Sequence, residues 1–213
     1  MKTESPPSNS VLPRVGPARE RLLEAAVRLV RQQGFGGTSV DALCAAAGVT
    51  KGAFFHHFAS KEALGVAAAA AWGAHAAGLF DDAQYRRDAD PVARVLAYVD
   101  HRAALLEGAA WEFTCLAGTM VQELHESSPA IRDACRASIF GHADSLAGDF
   151  HDAIADRGVV GVTGIGLARH VQAVLQGGFI IAKANGGPEA ARDAVAHLRH
   201  YLVLIFGEEN DHD

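Results

Sequence analysis

The chain has 213 residues, of which 49% are hydrophobic and 7% aromatic, and its formal net charge is −6. This length suits one large domain or two smaller ones. The three cysteines, Cys44, Cys115 and Cys135, show no paired spacing, which argues against a disulfide framework and favours a reducing cytoplasm. The apolar runs are interrupted and alanine-rich, and no secretion signal opens the chain, so we expect a cytoplasmic protein outside the membrane.

Charge is distributed unevenly along the chain. Residues 1–65 contain eight Lys/Arg against five Asp/Glu, whereas the remainder contains eleven against twenty. A mildly basic segment joined to an acidic remainder suggests that only the N-terminal part meets a polyanion. Chance in a small sample explains the same asymmetry equally well.

The chain begins with a predicted arm and a first helix. Residues 1–17 are rich in proline and serine, a composition typical of a disordered segment. The stretch "ARERLLEAAVRLVRQQ", residues 18–33, places apolar residues at helical spacing and arginines on much of the other face. Gly34 then ends the helix, as a left-handed residue after the last turn would.

Two short helices follow, and a longer one begins after them. Thr38 opens a capping box for a helix that runs to about residue 47, where Gly48 closes it. Thr50 caps a second short helix through residue 57 or 58, and Ser60 starts the longer one. Two short helices joined by a glycine-containing turn predict a helix-turn-helix, whose second helix lies in the major groove of DNA.

The rest of the chain is also predicted to be helical. The expected helices cover about 91–107, 110–125, 129–158, 166–185 and 188–206. The stretch "GVVGVTGIG" is interpreted as a loop, and the acidic tail, residues 208–213, as frayed. The predicted fold class is therefore all-α.

The residues "RERLLEAAVRLVRQQGF" and "TSVDALCAAAGVTKGAFFHHFASKEAL" resemble the N-terminal part of the TetR (tetracycline-repressor) family of bacterial regulators. The resemblance includes the order and spacing of the residues and four individual positions, Gly34, Thr38, Gly48 and Gly52. It implies a three-helix helix-turn-helix DNA-binding head, residues 18–64, on a larger helical ligand-binding and dimerisation body, residues 65–207. The disordered arm, 1–17, and the disordered tail, 208–213, would flank them.

The resemblance also implies which residues meet DNA. Lys51 would reach a phosphate or a guanine edge, and Thr38 and Thr50 would offer hydroxyl and N–H groups to phosphates. Lys61 would touch the backbone, although a solvated lysine is the alternative. The predicted DNA-contacting residues are Thr38, Thr50, Lys51, Gly52, Ala53, Phe55, His56 and Lys61.

Several of these assignments have a structural alternative. Gly52 and Ala53 either let the helix approach base edges or serve ordinary helix packing. His56 is expected at the exposed end of the recognition helix, whereas the neighbouring His57 suits a half-buried capping role equally well. The two histidines point about 100° apart on a helix and cannot chelate one ion together. Family members usually have a tyrosine where this chain has Phe55, which lacks the phosphate-binding hydroxyl.

Two arginines and two aromatic residues complete the predicted head. Arg14 and Arg19 are weaker candidates for following the DNA backbone as an arm. Phe54 and Phe58 are expected to pack the head onto its first helix.

A helical body with small residues on several faces can leave a cavity, and in the family that cavity binds an effector. The candidate lining residues are Trp72, Trp111, Phe113, Cys115, Met120, His142, Phe150, His170 and Phe179. For each one, simple core packing is the alternative. Cys115 is interpreted either as an oxidant-sensing thiol or as a small buried hydrophobic residue.

The last two helices form the dimer contact in the family. Apolar surface for it is expected from Val174, Ile181, Leu198, Leu202 and Ile205. His197 and His200 share a helix face and could in principle bind a metal, but a position at or beside the interface is favoured. No metal or cofactor is predicted.

The sequence thus predicts a non-enzymatic, ligand-responsive, DNA-binding transcriptional regulator. The favoured form is a homodimeric repressor that binds a palindromic double-stranded operator and is released by a small-molecule effector. The alternative is an all-helical ligand-binding protein or enzyme with a vestigial DNA-binding head.

Overall fold

The computed structural model describes residues 17–81, 86 and 88–207, and the described secondary structure is helical, with no strand among these residues. The all-α prediction is confirmed. The predicted arm, with Arg14, and the predicted tail lie outside the described residues. The helices are α1 Ala18–Gln33, α2 Val40–Ala47, α3 Lys51–His57, α4 Lys61–Asp81, α5 Pro91–Ala104, α6 Ala110–Phe113, α7 Leu116–Leu124, α8 Pro129–Arg157, α9 Gly164–Asn185 and α10 Glu189–Phe206.

The described residues group into two compact units. The first unit contains residues 17–78 and 114–141, and therefore α1, α2, α3, most of α4, α7 and the start of α8. The second unit contains the described residues of 79–113 and 142–207, and therefore α5, α6, the rest of α8, α9 and α10. The domain boundaries inferred from the sequence remain predictions.

The helix-turn-helix is held by local capping. Gly48 ends α2 in the left-handed conformation, with φ 62° and ψ 42°, which costs a glycine little because it has no Cβ. Thr50 then caps α3, and its hydroxyl accepts from the Ala53 N–H at 3.1 Å. The predicted turn and the predicted start of the recognition helix are confirmed.

Two details at the ends of α1 and α2 differ from the sequence interpretation. The N-cap of α2 is Ser39, whose hydroxyl accepts from the Ala42 N–H at 3.0 Å. The prediction that Thr38 caps this helix is wrong, because the Thr38 hydroxyl donates to the Gly34 carbonyl at 2.7 Å. Gly34 ends α1 as expected, but with φ 81° and ψ 165° it is extended in ψ rather than left-handed helical.

The helix predicted over 110–125 is two helices. It breaks between Phe113 and Leu116, and Cys115 is the N-cap of α7. Its sulfur accepts from the Gly118 N–H at 3.3 Å, so a thiol supplies the cap that serine or threonine usually provides. Helix α5 begins at Pro91 as predicted and ends at Ala104, three residues early.

The core of the first unit joins α1, α2, α3, α4 and α7. Leu22, Leu43, Phe54, Leu64 and Met120 are each at most 1% exposed. Burying a side chain of this size contributes about 1.5–3 kcal/mol relative to leaving it in water. The same cluster includes Phe58, so the prediction that Phe54 and Phe58 pack the head onto its first helix is confirmed.

The second unit packs α5, α9 and α10 together, with α6 against α9. Tyr98 and Val99 of α5, Val171 of α9 and Leu202 of α10 are at most 1% exposed. At the edge of this core, Arg94 of α5 donates to the Asp149 carboxylate at 2.9 Å.

Two helices, Lys61–Phe80 and Gly164–Asn185, are long and apolar enough to cross a membrane by length and composition alone. Core helices of globular proteins meet the same criteria. Buried residues of α9 such as Leu167, Val171 and Phe179 belong to the core of the second unit.

Candidate functional site

Helix α3 has one apolar face and one open face. Phe54 is fully buried and meets Phe58 with ring centres 6.0 Å apart. On the other side, Lys51, Gly52 and His56 are exposed, and Phe55 is 52% exposed. An exposed phenylalanine between cationic and small residues suits contact with sugars or thymine methyl groups. Thus α3 presents a surface that can enter a groove.

Lys51 is anchored to the preceding helix. Its Nζ lies 2.9 Å from an Asp41 carboxylate oxygen, and both side chains are largely exposed. The hydrogen bond to Asp41 raises the pKa of Lys51 above its usual range. An exposed ion pair of this kind contributes little stability because water screens it. Lys51 can therefore exchange Asp41 for a phosphate or a base edge at little cost.

The two predicted threonines are placed differently. Thr50 is exposed at the N-terminus of α3, where hydroxyl and N–H groups could meet a phosphate. Thr38 is 1% exposed and its hydroxyl is already bonded to the Gly34 carbonyl. The structure therefore does not place the Thr38 hydroxyl at the surface, as a phosphate contact would require. Ala53 is half-buried.

Lys61, at the start of α4, joins two turns of the first unit. Its Nζ donates to the Phe35 carbonyl at 2.8 Å and to the Thr38 carbonyl at 2.9 Å. The same ammonium lies 4.4 Å from the centre of the Phe35 ring. An ammonium has three N–H donors, so one remains for a phosphate. Lys61 is thus a structural clamp in addition to a candidate DNA contact.

Glu123 is a residue that the sequence interpretation missed. Its carboxylate accepts from the Phe35 N–H at 3.0 Å and the Gly36 N–H at 2.8 Å, and so fixes the segment after α1 from helix α7. A second such link joins the Ser128 hydroxyl, at the start of α8, to the Glu62 carboxylate. A sequence offers no signal for either link, because an exposed glutamate on a helix usually faces only solvent.

The histidine pair that ends α3 stands apart from the hydrophobic core. The rings of His56 and His57 are 5.0 Å apart and tilted by 68°. His56 is exposed and His57 is half-buried. Within the described part of the chain, no three His, Cys, Asp or Glu side chains are grouped so as to hold a metal ion.

The predicted effector-binding residues fall into both units. Trp72, Cys115 and Met120 belong to the first unit. Met120 is fully buried in its core, and Trp72 is stacked by the Arg31 guanidinium at 4.7 Å. Cys135, in the same unit, has a pKa raised to about 12 by burial and by the neighbouring Cys115. These residues serve core packing and capping in the structure.

The other candidates belong to the second unit. Phe150 is 1% exposed in its core, and Phe113 meets Phe179 with ring centres 6.4 Å apart. His170 is exposed and packs against Tyr201 at 5.1 Å, so it does not enter the interior. Trp111 is half-buried on α6.

His142 is the predicted residue with the most polar surroundings. Its Nε2 lies 2.9 Å from the Tyr98 hydroxyl, which also accepts from the Gln172 amide at 3.4 Å. Burial, with the charges of Arg102 and Arg86, lowers the pKa of His142 to about 3. His142 is therefore neutral at pH 7 and shares a hydrogen bond with the Tyr98 hydroxyl. The sequence interpretation missed Tyr98, Gln172 and Arg102, although Tyr98 and Arg102 share a face of α5 at i, i+4 spacing.

The last two helices expose a set of apolar residues that differs from the predicted set. Leu198 and Leu202 are 3% and 0% exposed within the protomer, so the prediction that they supply interface surface is wrong. Val174 and Ile205 are half-buried. The exposed apolar residues of α9 and α10 are Ile180, Ile181, Tyr201 and Leu204. His197 and His200 are also exposed on α10.

Comparison with known proteins gives consistent results. The model of the bacterial regulatory proteins of the tetR family matches residues 22–68. The transcriptional regulator AcuR of Cereibacter sphaeroides is 28% identical over 148 residues, which are 65% of this chain and 66% of that protein. The HTH-type transcriptional repressor NemR of Escherichia coli is 49% identical over 49 residues, 23% of this chain and 25% of that protein. The chain thus spans slightly less than two thirds of AcuR and a quarter of NemR.

Solved structures extend the likeness to most of the fold. The reduced form of Escherichia coli NemR matches with a TM-score of 0.73 at 25% identity, over 86% of this chain and 96% of that chain. A regulator of the TetR family from Agrobacterium tumefaciens matches with a TM-score of 0.76 at 19% identity, over the same shares. At 19% identity the second match concerns the fold alone.

Proposed function

We propose that this chain, which belongs to the tetR family of bacterial regulatory proteins, is a DNA-binding transcriptional repressor controlled by a small-molecule effector. The observation that supports this most directly is the open face of α3. Lys51, Gly52, Phe55 and His56 are exposed on it, while Phe54 anchors the opposite face in the core. Phosphate contacts would position the helix and base contacts would supply specificity.

The repressor would act as a homodimer through α9 and α10. Ile180, Ile181, Tyr201 and Leu204 are 49%, 51%, 40% and 70% exposed. Large apolar side chains exposed on two helices that pack together favour a protein–protein interface. A two-fold dimer presents two copies of α3, so the operator would be an imperfect palindrome. Its half-sites would be about 34–36 Å apart, or a multiple of that distance.

Effector control would operate through α4. This helix begins at Lys61, contains Trp72 and continues to Phe80, which packs against Tyr98 and His142. An effector that displaces the C-terminal end of α4 would move the clamp at its N-terminal end. Linkage then requires that operator lowers effector affinity by the same factor by which effector lowers operator affinity, typically about 5–150-fold.

The test is to titrate the protein with DNA from the region upstream of its own gene. Binding affinity is measured by fluorescence anisotropy at several salt concentrations. Lys51→Met is expected to weaken operator binding more than binding to random DNA, because Lys51 lies on the open face of α3. Arg132→Met is the matched control, since Arg132 is an exposed cation paired with the adjacent Asp133 at 2.9 Å.

The alternative function, a ligand-binding protein or enzyme with a vestigial head, predicts a different result. The protein would then bind all DNA weakly, and Lys51→Met and Arg132→Met would behave alike. Protection of a single asymmetric half-site in footprinting would count against the dimer. The relatives are named as regulators and not as enzymes, and a repressor of this kind would work in the cytoplasm without a membrane.

A further inference from the structure

A guanidinium in the second unit is held between two aromatic rings. Arg102 is half-buried on α5, and its central carbon lies 4.9 Å from the centre of the Phe80 ring and 5.7 Å from that of Phe179. Both rings are at most 5% exposed. Ring faces attract a cation but do not accept hydrogen bonds from the edge of a guanidinium. The Tyr98 hydroxyl takes one hydrogen bond from Arg102, and the remaining in-plane N–H groups are left for water or another acceptor.

The acidic residues of this region are used by other arginines. Arg94 donates to Asp149 at 2.9 Å and to Asp152 at 3.3 Å, and Arg86 lies 3.8 Å from Asp149. Among residues 88–207 and the other described positions, no carboxylate lies within ion-pair distance of Arg102. A half-buried arginine usually has an anionic partner, because removing its charge from water is costly.

The charge of Arg102 affects the pKa values of three neighbouring side chains. Burial lowers the pKa of His101 and of His142, and the Arg102 charge lowers both further. Burial raises the pKa of Tyr98, and the Arg102 charge opposes that rise. At pH 7 the histidines are therefore neutral and Tyr98 keeps its proton. No anion among these groups neutralises Arg102.

We propose that Arg102 binds the carboxylate of a small organic acid, and that this acid is the effector of the protein. A planar guanidinium binds a carboxylate through two parallel N–H···O bonds. One cation without a carboxylate partner suits a monoanion better than a dianionic phosphate. The identification of the acid as an effector rests on the proposed function, whereas the binding site rests on Arg102 and its surroundings.

The test is isothermal titration calorimetry on the full chain without DNA. The probes are sodium propionate, butyrate and benzoate, each compared with its neutral amide, and inorganic phosphate. At least one acid is expected to bind at millimolar concentration or tighter, and at least about tenfold more tightly than its amide, because the amide lacks the charge. Arg102→Gln is expected to remove this preference and Arg102→Lys to reduce it.

Arg157→Gln is the matched control, because Arg157 lies in the same unit and already faces the Asp90 and Asp156 carboxylates. It is expected to bind the acids as the unaltered protein does. Circular dichroism verifies that both Arg102 variants are folded. The proposal is overturned if no acid binds, if acid and amide bind equally, if phosphate binds more tightly than every acid, or if both folded Arg102 variants keep full affinity.

These titrations also separate the two proposals. Acid binding that leaves operator affinity unchanged supports the carboxylate site and contradicts its role as the effector site. Operator binding without any acid binding supports the DNA-binding function and contradicts the carboxylate site.

Discussion

Replacing Lys61 by methionine tests whether this lysine is a structural clamp. Methionine keeps most of the side-chain volume but removes the ammonium that bonds the Phe35 and Thr38 carbonyls. The contact between the ammonium and the Phe35 ring, at 4.4 Å, is lost as well. The variant therefore leaves two carbonyls to water and loosens the connection between α1 and α2.

The expected loss follows from these contacts. A hydrogen bond from a charged donor contributes about 1.5–3 kcal/mol when buried, and about 1 kcal/mol each is reasonable here because the site is partly exposed. The cation–π contact adds about 0.5–1 kcal/mol. Lys61→Met should therefore lower the free energy of unfolding by about 2.5–3 kcal/mol, measured by urea denaturation followed by circular dichroism.

Lys51→Met is the control for Lys61→Met. Lys51 is exposed and bonds only the exposed Asp41, so its replacement should leave the urea midpoint unchanged while weakening DNA binding. Lys61→Met should also lower the salt slope of DNA binding by about 0.9 if the third N–H reaches a phosphate. A Lys61→Met protein as stable as the unaltered one would refute the clamp, and an unchanged salt slope would limit Lys61 to that structural role.

Three further predictions concern the recognition helix, the dimer and the acid stability. Phe55→Tyr should tighten operator binding by about 1 kcal/mol, or roughly fivefold, by adding a hydrogen bond to a phosphate; unchanged anisotropy titrations would mean that α3 docks differently. Leu204→Glu should shift the protein toward monomer in sedimentation experiments, whereas Val160→Glu, at a loop position that is 89% exposed, should not; equal behaviour would place the interface elsewhere. The pKa of His142 is lowered to about 3 from about 6.5 in the unfolded chain, so only the unfolded state binds this proton between those values. Stability should fall as the pH is lowered through that window, by up to about 1.4 kcal/mol per unit. His142→Gln should flatten this dependence between about pH 7 and about pH 5.

The sequence alone determined the local structure of the first third of the chain. The ends of α1, α2 and α3 depend on residues that act on their immediate neighbours. Gly48 adopts a positive φ, and Thr50 bonds an N–H three residues away. Such interactions are encoded within a few positions, so they can be inferred from a string of letters. The open face of α3 follows from the same spacing.

Only the tertiary structure decided what the long side chains do. Lys61 bonds carbonyls 26 and 23 residues away, and Glu123 bonds N–H groups 88 and 87 residues away. No periodicity within a helix specifies these partners. The same reason explains why the sequence predicts interface surface at Leu202, which is buried, and not at Leu204 on the same helix, which is exposed.

Arg102 shows the same division between sequence and structure. Its place on α5, one turn after Tyr98, is visible in the sequence. Its position between Phe80 and Phe179, and the pairing of Asp149 with Arg94 and not with Arg102, depend on how α4, α5, α8 and α9 pack. Whether a charge is paired is a property of all its neighbours together, and those neighbours are brought together only by the fold.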